Sequence, residues 1–238
     1  MNRLEHIRRE EKKYHDECYK KYKLFEKGSW LHKPVQSVIE LLPFFHYQES
    51  VKVLDLGCGV GRNSIPIAKA IKSDGGEVVC VDLLDSALNK LAQYSKEHGV
   101  EDVISPVKSD IGSFQIESEE YDFIVAVSSL EHVQSESMLE AVVRRMIKGT
   151  KYNGINCIII NTEIEEIDMQ TGEKLETFME VNLSTEEMLS KMENHYYGWK
   201  VLKKTIKPLE YSITRNEQSI RLKTNAITYI FRKNDLSG

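Results

Sequence analysis

The sequence predicts an α/β domain built on a doubly wound, mostly parallel sheet. Two observations predict it: short β-branched runs alternate with segments of helical periodicity, and a glycine-rich turn follows the first run. The chain has 238 residues, of which 41% are hydrophobic. A chain of this size and composition buries one sizeable core, so we expect a single α/β domain with additions.

The N-terminal segment is predicted to be helical. Apolar residues recur at three- and four-residue steps between Leu4 and Phe25, which predicts an amphipathic helix ending near Gly28. A second helix is predicted from about Pro34 to Pro43, because proline is favourable in a first turn. We assign residues 1–33 to an N-terminal helical extension, a candidate lid, and residues 34–238 to the main domain.

The middle of the chain alternates predicted strands and helices. The strands are Val51–Leu56, Glu77–Val81, Ile104–Lys108, Tyr121–Val127 and Ile155–Asn161, and the helices lie near Asn63–Ile71, Ser86–Glu97 and Ser135–Lys148. Gly99, Gly149 and Asn153-Gly154 supply the predicted stops and turns. Five strands in this rhythm favour a parallel sheet with crossover helices.

The character of the chain changes after the fifth strand. Residues 163–193 hold ten acids and two lysines, which predicts an acidic insert over 162–197, a candidate cover for an acceptor site. Ser184 and Glu187 form a capping-box pattern that predicts a helix over Thr185–His195. Two further strands, Trp199–Ile206 and Ile220–Phe231, are predicted with a polar loop between them.

Composition bounds the class of protein. The charged fraction is 29% and the net charge is −5, which argues against a general affinity for nucleic-acid phosphates. Apolar segments of signal-peptide or membrane-spanning length are lacking, so we expect a cytoplasmic protein without a membrane partner. The four cysteines form no C-x-x-C pair, and neither a disulfide framework nor a metal site is predicted.

The run VKVLDLGCGVGRNS joins a strand, a glycine-rich turn and the start of a helix over Val51–Ser64. Gly57, Gly59 and Gly61 let the backbone turn sharply and let a ligand approach the first strand. The dinucleotide fingerprint G-x-G-x-x-G would require glycine at Arg62, and no G-K-[ST] phosphate cradle is present. We therefore do not expect a pyrophosphate ligand.

Acidic side chains lie at or just after the ends of the first three strands. Asp55 suits a ligand amino group, and Asp82 can accept hydrogen bonds from both hydroxyls of a ribose. Asp110 can accept from the amino group of adenine, while Leu83 and Ile111 offer apolar faces to its ring. The carboxyl ends of parallel strands meet at one edge of a sheet, so we predict a nucleoside site there.

This combination resembles the class I S-adenosylmethionine-dependent methyltransferases. The resemblance covers about residues 34–161 and rests on the D-x-G-x-G-x-G element of Asp55–Gly61 with Asp82 and Asp110. The runs LGCGVGRNS, GSW and YYGWK are more narrowly similar to the tellurite-resistance type and its uncharacterised relatives. The resemblance implies a Rossmann-like, seven-stranded sheet with an antiparallel last strand, S-adenosylmethionine as methyl donor, S-adenosylhomocysteine as product, and no metal.

The resemblance also implies a set of donor-binding residues. We predict Asp55, Gly57, Cys58, Gly59, Gly61, Asn63, Asp82, Leu83, Asp110, Ile111, Ser128 and Trp30. Trp30, with Tyr14 and Tyr22, lies upstream of the first strand, and aromatic faces attract a sulfonium as they attract other cations.

The implied reaction is methyl transfer to a small-molecule acceptor by in-line displacement. The leaving thioether needs no proton, so a general base is needed only if the acceptor must lose one. His132, with Glu131 behind it, is the candidate base at the end of the fourth strand; a soft anion as acceptor would need neither. Two alternatives remain open: a protein or RNA methyltransferase, and a non-catalytic S-adenosylmethionine-binding protein.

Overall fold

The computed structural model describes residues 3–46, 48–215 and 218–234. The α-helices of these residues are α1 (Arg3–Lys21), α2 (Gln36–Ile39), α3 (Ser64–Ile71), α4 (Asp85–Glu97), α5 (Glu136–Gly149) and α6 (Thr185–His195). The strands are β1 (Lys52–Leu56), β2 (Glu77–Asp82), β3 (Ile104–Lys108), β4 (Tyr121–Val127), β5 (Thr150–Asp168), β6 (Lys174–Leu175), β7 (Lys200–Arg215) and β8 (Gln218–Arg232). Short 3₁₀ turns lie at Trp30–His32, Leu42–Phe45, Lys72–Asp74 and Leu130–His132.

The main sheet has the strand order β3-β2-β1-β4-β5-β8-β7. The first five strands of this order pair in parallel, and β8 lies antiparallel between β5 and β7. These seven strands confirm the predicted doubly wound sheet with an antiparallel last strand. The short β6, which pairs with the end of β5, is an eighth strand that was not predicted.

Helices cover both faces of the sheet, which is why the central strands are apolar throughout. Val53 of β1 belongs to a core cluster with α3 and α4, whereas its neighbour Leu54 belongs to one with α5 and α6. The chain reverses direction across the sheet between β1 and β4. Ligands of such folds bind at this switch point, beside the carboxyl ends of the strands.

The predicted bounds of the N-terminal helices need correction. Helix α1 ends at Lys21, several residues before Gly28, and Phe25 already has a positive φ of 64°. The helix predicted over Pro34–Pro43 reduces to the single turn α2 followed by a 3₁₀ turn at Leu42–Phe45. Pro43 lacks the amide hydrogen that a continuing α-helix requires.

The strands of the C-terminal half are longer than predicted. Strand β5 continues through Asn153-Gly154 and into the acidic insert, and β7 and β8 include most of the predicted polar loop. Residues 216–217 of that loop, and residues 1–2 and 235–238 at the ends of the assigned domains, lie outside the described residues.

The extension of β5 escaped prediction because two of its acids point inward. Glu166 and Asp168 are buried. The guanidinium of Arg215 binds the Glu166 carboxylate through both Nη atoms, and Gln218 Nε2 donates to Asp168 Oδ2. A count of acids along the chain does not reveal partners that lie about fifty residues away.

The helices are amphipathic or short. Helix α6 begins at the predicted capping box, in which Ser184 Oγ accepts from the amide of Glu187 and the Glu187 carboxylate accepts from the amide of Ser184. Throughout residues 3–46, 48–215 and 218–234, no helix combines the length and the apolar character needed to cross a membrane.

Candidate active site

The glycine-rich loop after β1 packs against the tip of β4. The amides of Gly57 and Cys58 both donate to the carbonyl of Val81, at 2.8 and 3.0 Å, which ties the loop to β2. Gly57 has a φ of +76°, and a Cβ at this position would lie 2.4 Å from Cβ of Ser129. Only glycine fits where the loop and the β4 tip approach this closely.

The carboxylate of Asp82 binds the backbone of the glycine-rich loop and fixes its position. Its Oδ2 accepts from the amide of Gly59 at 2.8 Å, and its Oδ1 accepts from the amide of Leu84 at 2.9 Å. Each carboxylate oxygen can accept a further hydrogen bond. Leu83 is 44% exposed beside this carboxylate. An acid with free lone pairs next to an exposed apolar side chain fits a ribose and its base.

Asp55 lies beneath the loop, at the end of β1. It is buried, and its Oδ2 accepts from Ser64 Oγ at 2.6 Å, at the start of α3. Burial raises the pKa of Asp55 to about 6, although the Ser64 hydrogen bond opposes the shift. A bound ammonium group would favour the ionised carboxylate.

The other predicted loop residues contact protein neighbours. Asn63 Oδ1 accepts from the amide of Val35 at 3.0 Å, which connects the loop to the segment before β1. Gly61 has a φ of +93°, and a Cβ there would lie 2.6 Å from Leu91 Cδ1 of α4. Cys58 is buried, and this burial raises the pKa of its thiol well above the usual value. A thiol in this state is a poor nucleophile.

Asp110 is already bound to α1. Its Oδ1 accepts from the amide of Gly112 at 2.8 Å, and its Oδ2 accepts from Arg8 Nη2 at 2.7 Å. The neighbouring Ile111 is half-buried and packs against the cluster under α5. Ser128, at the end of β4, has a φ of +49°. Its Oγ accepts from Asn161 Nδ2 at 3.3 Å.

Helix α1 lies across the carboxyl edge of the sheet. Besides the contact of Arg8 with Asp110, the hydroxyl of Tyr19 lies 3.2 Å from the position that a Cβ of Gly59 would take. Asp16 accepts from Ser86 Oγ at the start of α4. Sequence reasoning missed these contacts. The signal that could have found them is a second face of α1, with polar and aromatic residues at 8, 11, 15 and 19.

The three upstream aromatic residues lie in different surroundings. Trp30 stands next to the loop, where the Arg62 guanidinium lies 5.1 Å from the centre of its ring and Arg62 Nη1 donates to its carbonyl at 3.0 Å. Tyr14 meets the edge of the His15 ring at 5.5 Å, and Tyr22 has the Lys21 ammonium at 5.2 Å. A cation of the protein itself therefore already lies over the Trp30 ring, and contact with a sulfonium stays a prediction.

The hydrogen-bond partner of His132 Nδ1 is not Glu131, although the charge of Glu131 does act on His132. His132 Nδ1 lies 3.2 Å from Glu180 Oε2, in the acidic insert. The Oε1 atom of Glu131 instead accepts from the amide and the Nδ2 of Asn161, at 3.1 and 2.6 Å. The insert supplies the partner of His132, and its position after β5 is not readable from local spacing.

The pairing with Glu180 determines the charge of His132. Burial by itself lowers the pKa of His132, but the hydrogen bond with Glu180 and nearby carboxylates raise it to about 9. His132 is therefore a cation at neutral pH in this arrangement. A general base must be unprotonated before it acts, so the arrangement disfavours the predicted role of His132 near pH 7.

We expect the His132–Glu180 pair to make stability depend on pH. Because the pKa of His132 is raised from its usual 6.5, the pair stabilises the fold fully below pH 6.5 and loses its effect as the pH rises through 9. Between pH 6.5 and 9.5, the wild-type protein should lose about 1–3 kcal/mol of unfolding free energy relative to His132→Gln. Urea unfolding of both proteins at several pH values measures this loss.

His98→Gln is a suitable control for this experiment. Burial and the charge of Lys69 lower the pKa of His98, so its neutral form already predominates at pH 6.5. The His98 variant should therefore follow the wild type over this range. A stability difference between wild type and His132→Gln that does not change with pH would refute the ion pair.

A network of charges joins α1, the β4 tip and the insert. Arg8 Nε lies 3.8 Å from Glu180 Oε1, which connects it to His132. The Arg215 guanidinium lies 4.5 Å from the centre of the Phe178 ring in the insert. Glu11 of α1 belongs to the same network: burial raises its pKa, but its contact with His15 and the charge of His132 lower it on balance.

In the described part of the chain, no three metal-ligating side chains are grouped as a metal site would require.

The family model and the curated relatives that match this chain are described as methyltransferases. Residues 53–154 match the family model described as a methyltransferase domain. The ubiquinone biosynthesis O-methyltransferase of Rickettsia canadensis is 29% identical over 115 residues, which are 48% of this chain and 44% of that protein. The sterol 24-C-methyltransferase of Debaryomyces hansenii is 28% identical over 107 residues, 45% and 27% of the two chains. The chain thus spans less than half the length of these curated relatives.

Solved structures share the fold over most of the chain. TehB from Haemophilus influenzae aligns with a TM-score of 0.62 and 22% identity, covering 93% of this chain and 67% of TehB. The N-methyltransferase NodS from Bradyrhizobium japonicum, solved with S-adenosylhomocysteine, aligns with a TM-score of 0.60 and 14% identity, covering 99% and 100%. Residues 53–154 thus match a methyltransferase-domain family model, and the sheet order and glycine-rich loop belong to the fold that the chain shares with these solved structures.

Proposed function

We propose that this protein transfers the methyl group of S-adenosylmethionine to a small-molecule acceptor. One observation carries the proposal: Asp82 holds the amide of Gly59 while Leu83 stays exposed beside it, at the switch point of the sheet. The carboxylate of Asp82 would bind the ribose and the side chain of Leu83 would contact the adenine, while the glycine-rich loop would leave room for the rest of the donor.

The donor would be held by the acids at the strand ends. Asp82 would accept hydrogen bonds from the ribose hydroxyls and Asp55 from the amino group of the methionine part. Asp110 would accept from the adenine amino group through lone pairs that Arg8 and Gly112 leave free. The backbone at Gly57, Cys58, Gly59, Gly61 and Asn63, with Ile111, Ser128 and Trp30, would complete the donor site.

When bound, the donor supplies a methyl group activated by its positive sulfur. The protein has to orient the acceptor in line with this methyl group and to exclude water, and orientation of this kind is worth about 7–11 kcal/mol. Helix α1 supports this role because it covers the carboxyl edge from Asp110 to Gly59. We infer that residues 1–33 act as the lid and that the insert over 162–197 covers the acceptor side.

Two observations support a small molecule as the acceptor. The relatives reported above are named for ubiquinone biosynthesis and for sterols, which are small molecules. In addition, α1 and the insert meet above the β4 tip, where Arg8 contacts both Asp110 and Glu180. A folded protein or an RNA would have to displace both segments. The net charge of −5 also disfavours a nucleic-acid partner.

Calorimetry and a transfer assay test this proposal. We expect S-adenosylhomocysteine to bind one site per chain and the protein to form S-adenosylhomocysteine when the donor is supplied with a suitable small molecule. Bulk tRNA and unfractionated protein serve as comparison acceptors. Absence of binding would refute the proposal, binding without turnover of any acceptor would favour a non-catalytic donor-binding protein, and transfer to tRNA or protein would overturn the small-molecule acceptor.

A further inference from the structure

One carboxylate oxygen of Glu131 is buried and forms no hydrogen bond with the described residues. The residue is fully buried at the carboxyl end of β4, and its Oε1 accepts two hydrogen bonds from Asn161 of β5. Its Oε2 has no hydrogen-bond partner among the described residues. An unpaired buried carboxylate oxygen costs free energy, so its retention beside the proposed methyl-transfer site calls for a ligand.

Other unsatisfied polar atoms belong to the same region. Arg8 Nε and His15 Nδ1, both on α1, are also buried without a hydrogen-bond partner in the described part of the chain. Arg8 reaches Glu180, which pairs with His132 next to Glu131, while the carboxylate of Glu11 lies 3.6 Å from His15 Nε2. Polar groups of α1 and of the β4 tip are therefore left without hydrogen bonds in one region, and a small polar molecule bound there would satisfy them.

The charged groups where α1 meets the β4 tip favour a cationic ligand. The nearby cations are already paired: Arg8 with Asp110 and Glu180, and His132 with Glu180. Glu131 forms its side-chain hydrogen bonds only with the neutral amide groups of Asn161, and the cation that acts on it, His132, is shared with Glu180. Asp110, Glu131 and Glu180 thus share two cations, Arg8 and His132. An anionic acceptor such as a thiolate would add to this excess of negative charge, whereas an ammonium would reduce it.

We propose that the methyl acceptor is a small primary or secondary amine and that Glu131 Oε2 binds its ammonium group and takes its proton. The inference rests on the proposed methyl transfer and names its substrate class. Burial raises the pKa of the Glu131 carboxyl, which brings it closer to that of an alkylammonium and eases the proton transfer. A neutral alcohol would bring no positive charge to the buried carboxylate and is far harder for a carboxylate to deprotonate.

The step balances without another reactant. The ammonium gives one proton to Glu131, and the freed nitrogen lone pair forms a bond with the methyl carbon. The bond between this carbon and sulfur breaks, and sulfur keeps the electron pair. The products are the methylated ammonium, neutral S-adenosylhomocysteine and protonated Glu131, which returns its proton to solvent.

Sets of acceptors matched in shape test the substrate class on the wild-type protein. One set is 2-phenylethylamine, 2-phenylethanol and 2-phenylethanethiol; another is ethanolamine, ethylene glycol and 2-mercaptoethanol. Formation of S-adenosylhomocysteine is followed by mass spectrometry at pH 8. We expect at least tenfold faster turnover of an amine than of the alcohol and thiol matched to it. Preference for an alcohol or a thiol, or no turnover of any amine by protein that binds S-adenosylhomocysteine, would overturn the inference.

Glu131→Gln tests the residue itself. The amide keeps the size of the side chain and an acceptor for Asn161, but it cannot take a proton. We expect kcat for the amine to fall about 100-fold, with affinity for S-adenosylhomocysteine and Tm close to wild type. Glu101→Gln, in an exposed turn, is the matched control and should keep full activity. Loss of donor binding by the wild type would instead count against the proposed function.

An unchanged kcat in Glu131→Gln would exclude the proton transfer. If this variant does not fold, Glu131→Asp serves in its place: it retains a carboxylate at a shorter reach, so we expect a reduced kcat that exceeds the activity of any neutral substitution. Equal kcat values for the Asp variant and the wild type would likewise contradict a position-dependent proton acceptor.

Discussion

Replacing Asp82 by alanine is expected to weaken the binding of S-adenosylhomocysteine by about 1.5–3 kcal/mol, the usual scale for hydrogen bonds to a charged group. The loss has two sources. The proposed ribose contacts disappear, and the amides of Gly59 and Leu84 lose the acceptor that fixes the loop. Because both effects act on the donor site, affinity should fall about 10- to 150-fold, as isothermal titration calorimetry can measure.

Asp85→Ala is the control for this prediction. Asp85 follows Asp82 by three residues but is exposed, and its carboxylate pairs with Lys108 at the surface. Exposed pairs of this kind contribute little, so the control should bind S-adenosylhomocysteine like the wild type. Equal affinity of the Asp82 variant and the wild type would remove Asp82 from the donor site and leave it as a loop-positioning residue.

The parallel half of the sheet was predictable because its signals are local. The predicted bounds of β3 and β4 agree with the structure, and those of β1 and β2 differ by one residue. Strands β1, β2 and β4 are short, largely buried runs, whereas β3, at the edge of the sheet, has only Ile104 buried; helices bury β1 and β4 on both faces. In such runs, the pattern of residues and the final environment agree.

The antiparallel half was less predictable because its signals are long-range. In β7, exposed residues outnumber buried ones, and Pro208 interrupts its apolar alternation. The strand forms because β8 pairs with it along nearly its whole length, from Lys200 with Arg232 to Arg215 with Gln218. Local composition predicts a strand only as far as Ile206 and favours a polar loop after it, and only the pairing partner makes the rest of β7 a strand.

In the candidate site, too, the residues marked by local signals were predictable and those brought in by long-range contacts were not. Asp55 and Asp82 lie at the carboxyl ends of β1 and β2 and Asp110 follows β3, so the topology brings them to one edge, and spacing alone indicates this. Arg8 and Glu180 approach that edge from the N-terminal helix and the insert, about a hundred residues before and seventy after Asp110. No local pattern connects such distant segments, so the surroundings of His132 could only come from the structure.

Gly57→Ala is expected to lower the free energy of unfolding by about 2–5 kcal/mol. A residue with a side chain pays about 1–2 kcal/mol to adopt the left-handed conformation that φ of +76° requires. In addition, the new Cβ would lie 2.4 Å from Cβ of Ser129, and overpacking of this kind typically costs 1–3 kcal/mol. Ser129 cannot give way easily, because it is buried and its Oγ donates to the carbonyl of Leu56 at 2.7 Å.

Two further variants separate conformational strain from steric overlap. Gly99 also has a positive φ, of +64°, but a Cβ there meets nothing within 4 Å, so Gly99→Ala should show the strain alone, about 1–2 kcal/mol. In the Gly57→Ala/Ser129→Gly double variant the overlapping Cβ is absent, so the steric part should be recovered apart from the loss of the Ser129 hydrogen bond. Urea unfolding measures all three. If Gly57→Ala costs no more than Gly99→Ala, the close approach of the glycine loop to the β4 tip, and with it the geometry of the proposed donor site, is wrong.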